Sequence, residues 1–476
     1  MPSRWVQHSG LGLVVTIAVA ACSNLPYSPR PLDPAATAPD YAQRSGNAEG
    51  LKSFAVANSY SGSAWPPAEW GLRELTLTAL YFHPDMRIAR ARAAVTRAEL
   101  ASATQPQALL ARVKPEYHSR TLPEDSGPWS LGLELEIPLV AQGKRAARVE
   151  RGEFLADAAD TDIALAGWQV RARVRDRLLD LQASRSSVEL IEAQLAARRE
   201  MLALVARRVE AGLLSARDLG AERIAVAQLE AARDEGASRQ QRALGELASA
   251  LGLPLQVVRD MKLGFPDVET GRFAASDSEL RGLALRNRLD VHRKLLEFGA
   301  ADAEVKLAVA SQNPDILLGP GYAWDQGDNV WSLAVGLSVP SAARATAALR
   351  EAEARRELAA QVFMAVQTAA IAETERAAVQ VRLARDRMAA ALQQARIQQE
   401  QETRVARQFD AGAADRLQRV AAQLETLATR AALHAAQTEV RQSLAQLEEA
   451  VQRPLFGDFE SVPGAPAAPL QEGPRQ

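Results

Sequence analysis

From Ser341 to Asp410 the chain runs seventy residues without a glycine or a proline, and no other feature constrains the fold as much. Those two residue types are the usual interrupters of a helix, so the stretch reads as one continuous helix. At 1.5 Å per residue it would be roughly 100 Å long. Residues 142–210 repeat the pattern, with no proline and only Gly143, Gly152 and Gly167. No globular core needs a rod of that length. It must lie along neighbours, and the segments 216–251 and 415–453 are one set of candidates.

Composition agrees with long helices packed in thin layers. A length of 476 residues would ordinarily mean about three domains at ~150 each. Aromatic residues, however, make up only 5%, alanine is abundant, and the 24% of charged residues is spread along the chain. Small side chains pack helices closely rather than fill deep cores. The formal charge of −2 argues against a nucleic-acid partner, which would need a basic surface. The single cysteine excludes a disulfide framework and a Cys-rich metal site. The histidines (His8, His83, His118, His292, His434) are scattered, none in an HExxH spacing, and no glycine-rich phosphate loop occurs. No catalytic residue, no metal ligand set and no cofactor is expected, and the chain reads as a non-enzymatic protein.

The chain is written twice. Ala79-Leu80 through Asp85 answers Ala284-Leu285 through Asp290 at an offset of 205. Trp129-Ser-Leu answers Trp331-Ser-Leu at 202, and Ala211-Gly212 answers Ala411-Gly412 at 200. Leu253-Pro254-Leu255 matches Arg453-Pro454-Leu455, again at 200. Residues 76–255 and 276–455 are therefore two copies of one unit, joined by a linker at 256–275. Each copy is expected to begin with a helix, about 84–105 and 278–311, and to continue with two short strands, a very long helix and a returning helix. The first of these helices is capped by His83-Pro84-Asp85 in one copy and by the run from Ser276 to Glu279 in the other.

The strands alternate with period two. In Trp129 to Ile137 the odd positions are Trp129, Leu131, Leu133, Leu135 and Ile137, and the even ones are Ser130, Gly132, Glu134 and Glu136. Trp331 to Val339 alternates in the same way, and Ile316 to Trp324 carries Ile316, Leu318, Tyr322 and Trp324 on one face. A soluble hairpin with one buried face would give this pattern too. Segments of ~9–11 residues with an aromatic at the end of the apolar face fit a membrane barrel strand. Four strands per chain cannot close a barrel, and lipid does not tolerate an open sheet edge. Two such chains would give eight strands, an interior filled by side chains; three would give twelve and leave a lumen. On this reading Trp129, Trp324 and Trp331 form a membrane girdle, and Glu134 and Glu136 face the lumen. In a threefold assembly these carboxylates would favour cations, or would be solvated wall residues without a selective role.

The amino terminus reads as an export signal. Arg4 precedes the apolar run Leu11 to Ala21, too short to span a bilayer, and Cys22 follows it. Val19-Ala20-Ala21-Cys22 resembles a bacterial lipobox, with cleavage before a lipidated Cys22; the other reading is an ordinary cleavage site with a chance cysteine. Residues 1–21 are thus a signal peptide and 22–75 a lipidated tether and extended segment rich in proline at its start. Residues 456–476 form a flexible tail.

These features together resemble the TolC-like outer-membrane efflux family, the outer membrane factors of tripartite efflux systems, and in particular its lipoprotein branch. The resemblance runs from Cys22 through both repeats to Leu455. It implies a mainly α fold with a small β part: a homotrimer whose long antiparallel helices form a tunnel, and whose strands, four per chain, build a twelve-stranded barrel. It further implies a Gram-negative outer-membrane location, with contact to outer-membrane lipid, a periplasmic adaptor and an inner-membrane efflux pump as partners, and passive export of drugs, metals or other small solutes. Neither nucleic acid nor a cofactor is implied.

Where each long helix turns back lie Gly212-Leu213-Leu214-Ser215 and Gly412-Ala413-Ala414-Asp415. As local chemistry, each glycine ends a helix in the left-handed region, and Ser215 and Asp415 cap the next. By resemblance, these tips dock onto the adaptor. Arg404, Arg407, Asp410 and Arg416 near the second tip are candidate gate residues, or a solvated charged helix end. The competing function is a lipid-anchored periplasmic coiled-coil scaffold that conducts nothing; it has no use for duplicated alternating strands with terminal tryptophans.

Overall fold

The computed structural model describes residues 27–58, 60, 64–120, 127–265 and 276–456. Cys22, the apolar run before it and residues 457–476 lie outside the described residues. The chain divides into two compact units, Met1–Arg44 and Ser45–Gln476. The first contributes the short helix α1 (Thr37–Ala42), followed by Arg44 stacked over the Tyr41 ring at 5.3 Å.

The second unit holds both repeats. After α2 (Glu49–Ala57), the first repeat is α3 (Leu72–Phe82), α4 (Pro84–Thr104), β1 (Leu110–Tyr117), β2 (Trp129–Leu139), α5 (Lys144–Glu210) and α6 (Ala216–Leu251). After the short α7 (Leu255–Arg259), the second repeat has the same order: α8 (Asp277–Asn287), α9 (Leu289–Ala310), β3 (Asp315–Asp325), β4 (Asp328–Ser338), α10 (Ala342–Asp410) and α11 (Arg416–Val451). The long helices have 67 and 69 residues, as the absence of proline required.

Three expectations are corrected. The helix expected over 278–311 is two helices, α8 and α9, broken at the extended residue Arg288 (φ −68°, ψ 117°). His83 (φ −66°, ψ 133°) makes the same break in the first repeat, where Pro84 disfavours a helical residue before it. No proline follows Arg288; side chains do its work. The guanidinium is held by Asp290 at 2.7 Å and Glu373 at 2.5 Å, and Gln452 Oε1 accepts the first free amide of α9, Leu289 N, at 2.7 Å. Second, the extended segment does not run through to 75: α2 buries Leu51 and Ala55 completely, spaced i, i+4 on one helix face. Third, the linker and tail are partly core. Val258 of α7 is buried, Leu263 forms a parallel bridge with Trp70, and Phe456, expected at the start of a flexible tail, is buried.

Near the sheet, α5 packs on α4 and α9, and α9 packs on α10. Further along, α5 packs on α6 and α11, and α11 on α10. Ion pairs mark the row: Arg97–Asp160 at 2.5 Å between α4 and α5, Lys306–Glu150 at 2.6 Å between α9 and α5, and Arg355–Glu304 at 2.8 Å between α10 and α9. The helices at the two ends of the row, α4 with α6 and α10, each keep a side without a neighbour among the described residues. On α10 that leaves Leu358, Met364, Leu383 and Ile397 exposed. The main core lies mid-length, where α2, α3, α7 and α8 cover the long helices with Leu75, Leu80, Leu178, Leu247, Leu251 and Leu444 among the buried residues.

Candidate functional site

The four strands form one antiparallel sheet in the order β1-β2-β3-β4, so the two repeats meet along β2 and β3. Its register sorts the side chains by polarity. On one face stand Val113, Pro115 and Tyr117 of β1, opposite Leu133, Leu131 and Trp129 of β2. The same face continues through Leu318, Tyr322 and Trp324 of β3 to Val335, Leu333 and Trp331 of β4. Among the described residues nothing covers it, and Trp331 is 79% exposed. The three tryptophans named from the sequence stand at one end of this face, toward the hairpin loops. Two tyrosines that the sequence reading did not assign to the girdle complete the belt: Tyr117 lies 5.1 Å from Trp129 between ring centres, and Tyr322 4.9 Å from Trp331. Gln326 (φ 46°) and Gly327 (φ 104°) make the two-residue turn between β3 and β4, both in the left-handed region such a hairpin requires.

The opposite face carries Arg112, Lys114, Glu134 and Glu136 on the first hairpin and, on the second, Gly319, Gly321, Ala323, Ser332, Ala334 and Gly336. Glu134 and Glu136 lie on the face expected of them, but they are not free carboxylates. Glu134 meets Lys114 at 3.1 Å, and Glu136 pairs with Arg112. Neither reading of these carboxylates, as cation-favouring or as solvated wall residues, included partners; β1, whose alternation was not read, brings one cation for each. Toward the belt, Ser130 Oγ lies 2.7 Å from His118 Nε2 and donates to Asp325, which is itself 3.2 Å from the same His118 nitrogen. Serine and aspartate meeting one ring nitrogen cross-link strands; a catalytic relay puts the carboxylate on the other nitrogen.

At the other end of the long helices are the two tips. Gly212 (φ 70°) and Gly412 (φ 76°) are left-handed, and the amides beyond them turn back: Leu213 N donates to Arg208 O at 2.8 Å and Ala413 N to Gln408 O at 2.7 Å. Ser215 Oγ accepts from Asp218 N at 3.3 Å, and Asp415 Oδ1 from Gln418 N at 2.8 Å, so both expected caps are formed. Leu213 and Leu214 part company. Leu213 is 72% exposed, whereas Leu214 packs with Leu219 and Leu417 on a small cluster of Met201, Val205 and Val420. Ala413 is exposed and Ala414 half-buried.

The candidate gate residues do not pair with one another. Arg416 Nε reaches Glu200 of the first repeat at 2.6 Å, Asp410 faces Arg419 at 4.0 Å, and Arg404 bonds Gln401 of its own helix at 2.6 Å. No ion pair of Arg407 occurs among the described residues. A second pair across the tips is Arg208–Asp415 at 2.7 Å, and hydrogen bonds from Arg208 and from Gln418 N hold the Asp415 carboxyl below the usual aspartate range. Sequence reasoning also missed the buried cluster of Arg171 and Arg175 with Glu448. Its signal was present: arginines at 171 and 175 interleave with the apolar positions 170, 174, 178 and 181, all four buried.

Among the described residues no group of three or more histidine, cysteine, aspartate and glutamate side chains is placed to hold a metal, and no helix is long and apolar enough to cross a membrane. A search of curated proteins finds no match in sequence. Solved structures do match. VceC of Vibrio cholerae, an outer membrane protein, aligns at 19% identity and TM-score 0.65, over 81% of this chain and 99% of its own. The outer-membrane channel OprN aligns at 19% and 0.67, over 90% and 99%. The open state of the MtrE outer membrane channel of Neisseria gonorrhoeae aligns at 18% and 0.63, over 80% and 88%. At these identities the matches speak for the fold. The profile described as outer membrane efflux protein matches twice, at residues 78–253 and 280–451, once on each repeat. The chain belongs to the outer membrane efflux protein family.

Proposed function

We propose that three copies of this chain form an exit duct in the outer membrane, through which an inner-membrane pump, coupled by a periplasmic adaptor, drives small solutes out of the cell. The observation that carries this reading is the sheet: one face is apolar from edge to edge, and among the described residues β1 and β4 each have a single neighbour. A sheet in lipid must close, and three copies of four strands make a twelve-stranded barrel with room for a lumen. The open sides of α10 and of α4 with α6 give the helices matching surfaces for the same closure. In this assembly Trp129, Trp324 and Trp331 mark the outer interface of the bilayer, and Glu134 and Glu136 line the lumen.

The tips Gly212–Ser215 and Gly412–Asp415 are the adaptor-docking surface, with Leu213 the projecting apolar side chain. Arg416 and Asp410, together with Arg208 and Asp415, hold the tips in their resting arrangement; Arg404, held to Gln401, and Arg407 stand beside them as charged residues within reach of a neighbouring copy. Residues 1–21 direct export, and Cys22 carries the lipid anchor, which with three acyl chains exceeds the two signals that stable anchoring needs.

The test is extraction of the protein and its Cys22→Ser variant from outer membranes in mild detergent, followed by particle mass and insertion into planar bilayers. A trimer that conducts supports the duct. A monomer of the variant that leaves the membrane without detergent would replace the duct by a periplasmic scaffold.

A further inference from the structure

We infer that Arg112 and Lys114, by neutralising Glu134 and Glu136, set the ion selectivity of the barrel; this rests on the reading of the polar sheet face as the wall of a lumen. The four residues occupy the middle of that face. The register puts Arg112 directly opposite Glu134 and Lys114 opposite Gly132, and the ion pairs run diagonally, Lys114 to Glu134 at 3.1 Å and Arg112 to Glu136.

The pairs lie along the wall rather than across the lumen, because the neighbouring hairpin leaves room for them. A Cβ on Gly319 would stand 3.0 Å from Glu134 Oε1. The small residues of β3 and β4 are in this sense the floor on which charged side chains of β1 and β2 rest. The carboxylates are the more covered partners: Glu134 and Glu136 are 18% and 21% exposed, against 56% and 47% for Lys114 and Arg112. A passing ion therefore meets the cations at the surface and the carboxylates beneath them. Two unit charges of each sign within a few ångströms leave almost no net field beyond a Debye length of about 8 Å. Glu116, Asp325 and Asp328 share the face nearer the hairpin loops and are common to every variant below, so differences between variants read the middle ring alone.

The experiment is the reversal potential of single pores in planar bilayers under a potassium chloride gradient. Arg112→Gln with Lys114→Gln should shift permeability toward potassium, and Glu134→Gln with Glu136→Gln toward chloride. A residual potential of one kT raises the favoured ion ~2.7-fold and lowers the other as much, so each ratio should move by about seven-fold. A fourfold charge swap (Arg112→Glu, Lys114→Glu, Glu134→Lys and Glu136→Lys) should return the ratio toward wild type, which excludes a mere packing defect. Conducting variants with unchanged reversal potentials would overturn the proposal. A wild-type protein that never conducts would remove the duct reading and this proposal together, and the wild-type record alone tells that failure apart.

Discussion

Arg171 of α5 and Glu448 of α11 form an ion pair in which both side chains are 0% exposed, and it ties the first repeat to the second. Arg175 reaches the same Glu448 oxygen at 2.8 Å, and the other oxygen accepts the amides of Leu455 at 2.6 Å and Phe456 at 2.9 Å. Phe456 O in turn accepts from Arg171 at 2.8 Å, so the chain just past α11 is folded onto the cluster.

Removing one partner of such a network leaves buried charge uncompensated and costs ~3–5 kcal/mol, whereas replacing all members by apolar side chains is often near neutral. Glu448→Ala should therefore lower the thermal midpoint of the detergent-solubilised protein strongly. The combined variant Arg171→Met, Arg175→Met, Glu448→Leu should melt above the single one. Circular dichroism melts decide it, and a single variant that melts with wild type contradicts the account.

At the first tip, two adjacent leucines should separate stability from docking. Leu214→Ala removes packing on Met201, Val205 and Val420, and by area it should cost about 1–2 kcal/mol, seen as faster hydrogen exchange around the tip. Leu213→Ala touches an exposed side chain and should leave exchange unchanged while weakening retention of the cognate adaptor in a crosslinking assay. Equal loss of adaptor in the two variants, with equal exchange, would remove the distinction.

The long helices, the tips and the duplication were legible because each rests on local rules: absence of Gly and Pro, a left-handed glycine, an offset that repeats. What was not legible depends on partners distant in sequence. Arg288 breaks a helix without a proline because Asp290, Glu373 and Gln452 hold it open, and Glu373 and Gln452 are far along the chain. The partner of Glu134 was missed because Lys114 lies on the neighbouring strand, where Pro115 drew the reading away from a strand although Arg112, Lys114 and Glu116 alternate with Val113, Pro115 and Tyr117. Proline-rich surroundings suggested an extended tether, and the i, i+4 pair Leu51 and Ala55 within it was overlooked.

The two faces of β4 offer a direct test of the membrane assignment. Val335 stands on the apolar face, mid-strand, and Ala334 on the polar one. A lysine facing lipid at the bilayer midplane costs ~2–4 kcal/mol, and one facing a lumen costs little. Val335→Lys should thus reduce the amount of trimer recovered from outer membranes, while Ala334→Lys should assemble normally. Equal recovery of both would place the apolar face outside the bilayer.

The last expectation concerns acid. His83 is buried at the start of α4, with Nδ1 accepting Asp85 N at 3.2 Å and Nε2 2.7 Å from Arg173 Nη1. Burial first, and the Arg173 charge with it, hold the imidazole below its ordinary 6.5, while Asp85 opposes them. A depressed pKa means that the folded protein binds fewer protons than the unfolded chain as acidity rises. The stability gained from neutral His83 is therefore complete above pH 6.5 and is lost as pH falls through the lower folded value. Melting midpoints of wild type should hold steady from about pH 8 to about pH 7 and decline toward about pH 5. His83→Gln has no proton to take up there, and its midpoint should decline less over the same interval. Parallel curves for the two proteins would mean that His83 does not carry the acid sensitivity.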